Sequence, residues 1–427
     1  MDILLIGSGG REHAMAWKIA QNSSVNKVFV APGNAGIELE EKLENLIIDP
    51  NNFAELAKFA EDNKISLTIV GPEQPLVNGI VDFFTKRNLR IFGPSKKAAQ
   101  LEGSKSFTKD FLHRHNIPSA EYKKFTSLDL AITYLDTKDA PIVIKADGLA
   151  AGKGVVVAKT ISEAKQAATD MLGGNVFGEA GHRIVIEDFL NGEEASFIVV
   201  VDGKNILPMA TTQDHKARDN GDKGPNTGGM GAYSPAPVVT NEVYDRIMNE
   251  VIEPTVIGMA EEGNTYIGFL YAGLMIMPDG SPKVIEYNCR FGDPETQPIM
   301  MRLESDLLDL CNAALDKKLS SHTIKWDTRS ALGVVIASGG YPNKYNTGDV
   351  VAGLPVKPSN NSKVFHSGTS TVDGNVVTSG GRVLCAVGLG ANISYAKEEA
   401  YKVAKEIHWE RSFFRDDIGY RAIEREQ

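Results

Sequence analysis

The chain has 427 residues, of which 42% are hydrophobic and 23% are charged, and its formal net charge is −10. This length suggests about three domains, and the acidic balance argues against sequence-independent binding to nucleic acid. No apolar run approaches the ~20 residues that a membrane-spanning helix needs. The three cysteines form no Cys-x-x-Cys pair, which argues against a disulfide framework or a structural zinc site.

The amino terminus begins directly with the apolar pattern of a buried strand, residues 1–6. It lacks the charged segment and the small-residue cleavage site of a signal peptide. We therefore expect a cytoplasmic protein that binds neither nucleic acid nor a membrane.

The first hundred residues alternate short apolar runs with helical patterns, which predicts a doubly wound parallel sheet of the α/β class. The predicted strands are residues 3–6, 28–30, 67–70 and 90–92, and the predicted helices begin near residues 12, 52 and 78. Ligands bind at the carboxyl ends of such strands, and these ends carry turns rich in small or polar residues. We expect this first domain to cover residues 1–103.

The first of these turns, residues 7–13, contains Gly9, Gly10 and Arg11. A dinucleotide fingerprint would carry a third glycine where Glu12 stands, so we exclude a nicotinamide or flavin cofactor. The backbone NH groups at the start of the helix and the Arg11 guanidinium can instead hold a phosphate. A tight turn that needs glycine only for its geometry is an equal alternative.

The next segment begins with Ser104, the predicted N-cap of a helix that reaches about residue 115. The elements predicted after it are strands at 142–145, 155–157 and 184–187 and a helix at 162–172. A glycine-rich loop, residues 146–154, therefore joins two strands, whereas a P-loop joins a strand to a helix. Such a loop can fold over a triphosphate with its NH groups facing the phosphate oxygens, and Lys145 precedes it on the strand.

Residues 187–194 leave a strand, turn at Asn191-Gly192 and reverse, which fits a hinge against which an adenine can lie. The polar residues 214–231 show no periodicity, so we expect a long loop there. Its mixture of cations, acids and glycines favours a lid that orders with substrate over an inert excursion.

Residues 284–288 form a strand pattern in which Glu286 and Asn288 share one face, while Ile285 and Tyr287 pack on the other. A carboxylate and an amide carbonyl are hard oxygen ligands suited to Mg²⁺, which takes its remaining ligands from substrate phosphates and water. The alternative is an edge strand with a solvated polar face. The arginine- and glycine-containing turn that follows favours the metal site.

Beyond about residue 326 the sequence becomes strand-rich with glycine turns, which predicts an α+β domain over residues 327–427. The predicted strands are residues 331–337, 364–365, 376–377 and 383–387, and the predicted final helix covers 394–407.

Together, these motifs resemble the ATP-grasp superfamily and, within it, the phosphoribosylamine–glycine ligases, also called glycinamide ribonucleotide synthetases. The resemblance covers essentially the whole chain, and its most specific stretch is RFGDPETQ, residues 290–297. Similar blocks are residues 9–14, 33–36, 71–73, 145–154 and 225–231. The implied architecture is an N-terminal doubly wound parallel-sheet domain, a central ATP-grasp domain at 104–326 with a mobile glycine-loop subdomain at 122–191, and a C-terminal α+β domain.

The resemblance also implies the chemistry. ATP, glycine and 5-phosphoribosylamine would give ADP, phosphate and glycinamide ribonucleotide through a glycyl phosphate, with Mg²⁺ or Mn²⁺ as the metal. Positioning and neutralisation of charge on the transferring group would be the main catalytic requirements. This reaction is the second step of purine synthesis.

Individual residues take their implied roles from the same resemblance. The residues expected to bind ATP are Lys105, Lys145, Gly152, Lys153, Gly154, Glu187, Leu190 and Glu194, of which Glu187 and Leu190 would reach adenine and Glu194 the ribose. The residues expected to bind the sugar phosphate or glycine are Gly9, Gly10, Arg11, Asp214, Lys216 and Arg290. The expected metal ligands are Glu286 and Asn288, and the expected catalytic residues are Lys145, Arg290 and Asp293.

Two alternatives stay open beside this one: another ATP-grasp carboxylate–amine ligase, and a non-catalytic nucleotide sensor. The strand before the metal pair, residues 268–273, lacks the further acid of many ATP-grasp enzymes, which argues against two-ion coordination. The chain stops after its third block, so we expect a monofunctional enzyme. The resemblance implies a monomer and is compatible with a transient contact with the amidotransferase that makes phosphoribosylamine.

Overall fold

The computed structural model describes residues 1–149, 154–173, 182–356 and 359–426. Its first domain contains the strands β1 (Asp2–Gly7), β2 (Lys27–Pro32), β3 (Leu43–Asn45), β4 (Leu67–Val70) and β5 (Ile91–Phe92). These strands form a parallel sheet in the order β3-β2-β1-β4-β5, so the predicted doubly wound parallel sheet is confirmed. The side chains of residues 3–6 are fully buried, because helices cover both faces of the sheet.

Five α-helices and one short 3₁₀-helix accompany this sheet. They are α1 (Gly10–Ala20), the 3₁₀-helix Ile37–Leu39, α2 (Phe53–Asp62), α3 (Glu73–Asn78), α4 (Ile80–Thr85) and α5 (Gln100–Gly103). The helix predicted to begin near residue 78 is α4, which begins at Ile80, whereas the short α3 before it was not predicted. Gly79 has φ +97°, a left-handed conformation that ends α3 and that glycine adopts at little cost.

The central domain begins with α6 (Lys105–Arg114), where the Ser104 hydroxyl accepts a hydrogen bond from the Phe107 NH as predicted. A small subdomain follows, with β6 (Tyr122–Phe125), α7 (Leu128–Leu135), β7 (Ile142–Ala146), β8 (Val155–Ala158), α8 (Ile161–Gly173) and β9 (Ile184–Asp188). Its antiparallel sheet has the order β6-β9-β7-β8. Phe125, Leu135 and Ile144 belong to a hydrophobic cluster that is separate from the other cores.

The stretch predicted as a long loop, residues 214–231, contains short strands, so that prediction is wrong. The strands from here onward are β10 (Glu193–Asp202), β11 (Ile206–Pro208), β12 (Gln213–Asp214), β13 (Ala217–Asp219), β14 (Lys223–Asn226) and β15 (Gly231–Ser234). β13 and β14 pair as a hairpin whose turn contains Gly221 and Asp222, both with positive φ. These strands are too short and too polar to produce an alternating hydrophobic pattern.

A larger antiparallel sheet completes the central domain. The later elements of the central domain are α9 (Asn241–Ile247), the π-helix Met248–Ile252, α10 (Glu253–Glu261), β16 (Ile267–Ile276), β17 (Pro282–Asn288), α11 (Thr296–Arg302), α12 (Leu307–Leu315) and the 3₁₀-helix Leu319–Ser321. The sheet has the order β11-β10-β16-β17. Ala195 and Val199 of this sheet share one hydrophobic cluster with Leu4 and Ile6 of the first domain.

The third domain is α+β, as predicted. It contains β18 (Ser330–Ala337), β19 (Ser362–His366), β20 (Thr369–Val372), β21 (Asn375–Thr378), β22 (Arg382–Gly390), α13 (Ile393–Ala404) and α14 (Tyr420–Glu426). Its main sheet has the order β12-β15-β18-β22-β19, so two strands of the central domain continue the sheet of the third. Among the described helices, none combines the length and the apolar character that crossing a bilayer requires.

Candidate active site

Two lysines converge on the buried carboxylate of Glu187 in the small subdomain. Lys145 Nζ lies 3.0 Å from Glu187 Oε1, and Lys109 Nζ lies 2.9 Å from Oε2. Burial alone would raise the pKa of Glu187, but the two ammonium groups outweigh it and lower that pKa. The cluster therefore holds a net positive charge beside the glycine-rich loop.

Lys145 and Lys105 were both predicted from the sequence, whereas Lys109 was not. Lys145 Nζ also donates to the Ile285 carbonyl at 3.0 Å, and Lys105 Nζ donates to the Gly148 carbonyl at 2.8 Å. Lys109 lies four residues after Lys105 on α6, and this spacing puts two residues on one helix face. The spacing from Lys105 is therefore the sequence feature that could have indicated Lys109.

The predicted loop residues are only partly described. Gly152 and Lys153 lie outside the described residues, and Gly154 is buried with its carbonyl accepting from the Ala146 NH at 2.8 Å. Asp147 Oδ1 accepts from the Ser106 NH at 3.1 Å, which fixes the first part of the loop to the start of α6. The loop therefore leaves the sheet next to Lys105.

The connector residues predicted to bind the adenosine divide between two clusters. Glu187 belongs to the lysine cluster, Leu190 is half-buried in the connector, and Glu194 Oε1 lies 3.6 Å from Lys216 Nζ. A Cβ on Gly192 would lie 2.4 Å from the Ile276 carbonyl oxygen, so glycine is needed where the connector approaches β16. The connector is thereby held against the larger sheet.

Glu286 and Asn288 lie at the end of β17, opposite Gly273 and Tyr271 of β16. The ladder pairs Leu274 with Val284 and then Gly273 with Glu286, which leaves Ile285 unpaired at a bulge. The predicted alternation is therefore interrupted: Val284 and Tyr287 both join the core, and Ile285 does not pack with Tyr287. The bulge frees the Ile285 carbonyl that Lys145 contacts.

The Glu286 and Asn288 side chains fit the donor set of a hard cation. Neither side chain makes a hydrogen bond to the described part of the chain, so their oxygens are available. Burial alone would raise the pKa of Glu286, but Lys216, Lys145 and Lys105 outweigh it and lower that pKa, so the side chain is a carboxylate. Within the described ranges no group of three or more histidine, cysteine or acidic residues could hold a metal.

A second cluster surrounds Lys216. Lys216 Nζ lies 3.0 Å from Asp214 Oδ2, and the Asp214 side chain is 1% exposed. Burial would lower the pKa of Lys216, but Asp214 and the neighbouring carboxylates raise it well above its ordinary value. Glu295, which was not predicted, accepts from Ser196 Oγ at 3.0 Å close to this group. The cluster combines one ammonium with several acids.

Arg290 is held between two carboxylates of the first domain. Its Nε lies 3.2 Å from Glu73 Oε2, and its Nη2 lies 2.9 Å from Glu102 Oε1. Burial would raise the pKa of Glu73, but Arg290 and Arg11 outweigh it and lower that pKa to about 2. The guanidinium is thus fixed where the end of β17 meets the first domain.

The predicted phosphate-binding turn has partners of its own. The Gly9 NH donates to Glu12 Oε2 at 2.7 Å, and Arg11 Nε donates to Glu12 Oε1 at 2.5 Å. Gly10 is buried, and a Cβ there would lie 2.5 Å from the Ser367 hydroxyl. The Glu12 carboxylate therefore contacts two of the donor groups that were expected to hold a phosphate.

Asp293 lies on the other side of this turn. A Cβ on Gly9 would lie 3.1 Å from Asp293 Oδ2, and Arg382 Nη2 lies 3.6 Å from the same oxygen. Burial would raise the pKa of Asp293, but Arg382 and Arg11 outweigh it and lower that pKa. Asp293 is thus an anion between the first and third domains.

Comparison with known proteins links this arrangement to one family. Models of the phosphoribosylglycinamide synthetase N domain, ATP-grasp (A) domain and C domain match residues 1–102, 103–296 and 331–421. The chain is 64% identical over 427 residues to a phosphoribosylamine–glycine ligase of Vibrio parahaemolyticus and 62% identical over 426 residues to one of Haemophilus influenzae. All of this chain is covered in both cases, with 100% and 99% of the relatives.

Solved structures show the same architecture. A crystal structure of the phosphoribosylamine–glycine ligase of Thermotoga maritima has a TM-score of 0.84 at 32% identity and covers 98% of this chain and 100% of its own. A biotin carboxylase domain of Hydrogenobacter thermophilus has a TM-score of 0.74 at 12% identity over 97% and 91% of the two chains, which shows a common fold alone. From its full-length relatives and its three matched domains, the chain belongs to the phosphoribosylamine–glycine ligase family.

Proposed function

We propose that this protein ligates glycine to 5-phosphoribosylamine at the expense of ATP, giving glycinamide ribonucleotide, ADP and phosphate. This is the second step of de novo purine biosynthesis. The observation that carries the proposal is the 64% identity, over the full length of both chains, to a ligase named for these two substrates. The fold and the charges of the site agree with the chemistry.

Phosphoryl transfer from ATP needs cations around the transferring group. Lys105 and Lys145 lie at the start of the glycine-rich loop and provide two of them, and we assign the phosphates of ATP to this region together with Gly152, Lys153 and Gly154. Lys109 shares the Glu187 carboxylate with Lys145, and we assign it the role of holding Glu187 and Lys145 in place. Leu190 and Glu187 would border the adenine, and Glu194 the ribose.

Glu286 and Asn288 are the residues that would hold Mg²⁺ or Mn²⁺. Their free oxygens and the lysines around them suit a cation that is shared with phosphate oxygens. When bound, this metal would neutralise charge on the phosphates of ATP. Since β16 carries no acidic residue, we propose that these two side chains form the metal site.

The glycine carboxylate must approach the γ-phosphate, and the resulting glycyl phosphate must then meet the sugar amine. We assign this step to the region between Lys216 and Arg290, two cations that lie outside the lysine cluster and, like its lysines, lower the pKa of Glu286. Asp214 and Asp293 are the acids beside it and suit the ammonium of glycine and the amine of the sugar. These groups orient the reactants and balance their charge.

Several expectations from the sequence remain predictions. They are the monomeric state, the cytoplasmic location, the transient contact with the amidotransferase, the mobility of the subdomain at 122–191, and the domain boundaries at 103/104 and 326/327.

The test is ADP release with Mg²⁺, ATP, glycine and freshly generated phosphoribosylamine, with each component omitted in turn and the product identified by mass. We expect ADP only in the complete mixture, together with glycinamide ribonucleotide. ADP release with another acid or amine would indicate a different ATP-grasp ligase. Binding of ATP without turnover would indicate a nucleotide sensor.

A further inference from the structure

Asp214 and Lys216 lie on an extended segment of chain, residues 213–216, that pairs with β15. The His215 NH donates to a carbonyl of β15 at 2.9 Å, which continues the pairing of β12. Successive side chains of an extended chain point to opposite faces. Asp214 and Lys216 therefore share one face, where they contact each other, and Gln213 and His215 share the other.

The face with Asp214 and Lys216 is the one near the proposed metal position. Lys216 Nζ lies 3.6 Å from Glu194 Oε1, and its charge is one of those that outweigh burial and lower the pKa of Glu286. Asp214 Oδ1 is buried and has no hydrogen-bond partner in the described part of the chain. A small displacement of residues 213–216 would therefore move two charged groups relative to the reacting atoms.

His215, on the opposite face, is held by the C-terminal segment, which we define as residues 415–426. The imidazole is 4% exposed, and its Nε2 accepts a hydrogen bond from the Gly419 NH at 3.0 Å. Its proton is therefore on Nδ1, which lies 3.7 Å from Asp222 Oδ1. Its ring centre is 5.8 Å from that of Tyr420. These contacts fix the ring in one tautomer and one orientation.

Gln213 is held by the same C-terminal segment through Glu193. Arg425 of α14 donates to both carboxylate oxygens of Glu193, at 2.7 and 2.5 Å. Glu193 Oε1 accepts from Gln213 Nε2 at 2.8 Å, and Gln213 Oε1 accepts from the Tyr233 hydroxyl at 2.8 Å. The residues on both sides of Asp214 in the chain are therefore fixed.

The C-terminal segment has further anchors of its own. Glu426 accepts from the Ile393 NH at 2.8 Å, which ties α14 to the start of α13. The buried Arg415 lies 2.9 Å from Asp222 and 2.8 Å from Asp417. None of these side chains has been assigned to ATP, the metal or the reactants. The segment can therefore act as a fixed support for residues 213–216.

We propose that His215 is a positioning residue, through which the C-terminal segment holds Asp214 and Lys216 in the geometry that glycine and the sugar amine need. The inference rests on the proposed function for the identity of these reactants. Arg425 supports the same stretch of chain through Glu193. We assign neither His215 nor Arg425 a contact with a reactant.

The first test compares His215→Ala and His215→Asn with His215→Gln. The glutamine amide can reach the position of Nε2 and accept from the Gly419 NH, whereas asparagine ends near the position of Nδ1. We expect kcat/KM for glycine to fall by about 10- to 100-fold in the alanine and asparagine variants, because a small misplacement of a reactant costs this much. The glutamine variant should stay within about threefold of the unmodified protein, and the KM for ATP should stay within about twofold throughout. His113→Ala, at an exposed position of α6, is the control.

Arg425→Ala tests the same support at an exposed position, where loss of the side chain should leave folding intact. We expect kcat/KM for glycine to fall by about three- to fivefold, since this ion pair is partly exposed. Glu424→Ala, at the exposed neighbouring position of α14, should have no effect. A thermal unfolding curve of each variant accompanies the kinetic measurements.

A chemical measurement follows the position of Lys216 without the reaction. Burial would lower the pKa of Lys216, but Asp214 outweighs it, which keeps the amine protonated and slow to react with acetic anhydride. We expect His215→Ala and His215→Asn to speed acetylation of Lys216 at least about tenfold relative to the exposed Lys402, since one pKa unit changes the free amine by that factor. Peptide mass spectrometry measures both lysines in one sample. His215→Gln should react like the unmodified protein.

The outcomes distinguish the two proposals. If glycinamide ribonucleotide forms but the glutamine variant is as impaired as the alanine variant, or no His215 variant changes the kinetics for glycine, the positioning role is wrong and the proposed function stands. An equal loss for ATP and glycine would also contradict it. If no glycinamide ribonucleotide forms but acetylation of Lys216 depends on His215 as expected, the proposed function is wrong and His215 positions Lys216 for another reaction. If neither is observed, both proposals are wrong.

Discussion

Glu286 lies between the lysine cluster around Lys145 and the second cluster around Lys216. The positive charges that lower the pKa of its carboxylate include Lys145 of β7, Lys105 of α6 and Lys216, which follows β12. Two carboxylates of the same cluster, Glu194 and Asp214, are already close to Lys216. Glu286 is therefore the acid with the best access to a cation shared with phosphate oxygens.

We expect Glu286→Ala to fold normally and to lower turnover by about 10² or more, because weaker metal binding removes several kcal/mol of transition-state stabilisation. The measurement is the ADP release rate as a function of Mg²⁺ concentration, together with a thermal unfolding curve. Glu398→Ala, an exposed glutamate of α13, should behave like the unmodified protein. Full activity of the Glu286 variant in saturating Mg²⁺ would exclude this ligand.

Sequence motifs identify residues whose neighbours are close in the chain, such as Glu286 with Asn288 or Lys145 with its loop. They assigned no role to Lys109 or Arg382, nor to Glu295, although Glu295 lies within the RFGDPETQ stretch. The contacts of these side chains join positions far apart, for example Arg382 with Gly228 and Asp293. Only the tertiary fold determines which of many lysines, acids and arginines come together.

At the level of elements, the β13–β14 hairpin is fixed to the third domain. Asp222 in its turn lies 2.9 Å from Arg415 Nη1 and 2.7 Å from Arg421 Nη2, and it accepts from the Tyr420 hydroxyl at 2.8 Å. Arg415 is 1% exposed and also donates to the Ala217 carbonyl. The contacts argue for a hairpin that is ordered before substrate binds.

We therefore expect trypsin to cleave slowly after Lys223 whether or not ligands are present. Asp222→Ala removes both ion pairs and should increase the cleavage rate about tenfold, since about 1.4 kcal/mol of local stability changes the open population by that factor. Asp245→Ala, an exposed aspartate of α9, is the control. Strong protection by substrates in the unmodified protein would instead support the lid predicted from the sequence.

The elements predicted well are those with a periodic apolar pattern or a local cap. The Ser104 cap and the apolar run of β1 are examples, because the pattern that predicts each of them lies within a few consecutive residues. The hairpin was missed because its polar strands gain their stability from Arg415 and Arg421, about 190 residues later. The split between α3 and α4 depends on the single left-handed Gly79.

At the scale of the whole molecule, the first domain contacts both of its neighbours through charged side chains. Arg290 of the central domain is clamped by Glu73 and Glu102, and Lys363 of the third domain lies 2.5 Å from Glu40 Oε1. The small subdomain, by contrast, has a hydrophobic cluster of its own. The small subdomain is therefore packed around its own core, whereas the first domain shares a hydrophobic cluster with the central domain.

Glu40 gives the contact between the first and third domains a defined pH dependence. Its Oε1 lies 3.4 Å from His13 Nε2 and 2.5 Å from Lys363 Nζ, and its side chain is 21% exposed. Burial alone would raise the pKa of Glu40, but the hydrogen bonds from His13 and Lys363 outweigh it and lower that pKa from 4.5 to about 2. A folded-state pKa below the unfolded value stabilises the fold above the unfolded value and loses this stabilisation as the pH falls toward about 2.

Glu40→Gln should therefore lower the free energy of unfolding by on the order of 1–3 kcal/mol at neutral pH. The difference from the unmodified protein should be constant between about pH 6 and 8 and shrink below about pH 4.5, where the unfolded chain binds a proton at this site. Urea unfolding followed by tryptophan fluorescence measures this difference in the free energy of unfolding. Trp17 lies beside the contact, since Lys363 Nζ is 5.2 Å from its ring. Glu41→Gln, at the exposed neighbouring position, should show no such pH-dependent difference. An equal effect of both variants, or a Glu40→Gln difference that grows in acid, would contradict this assignment. In either case the Glu40 carboxylate would add no stability through its charge.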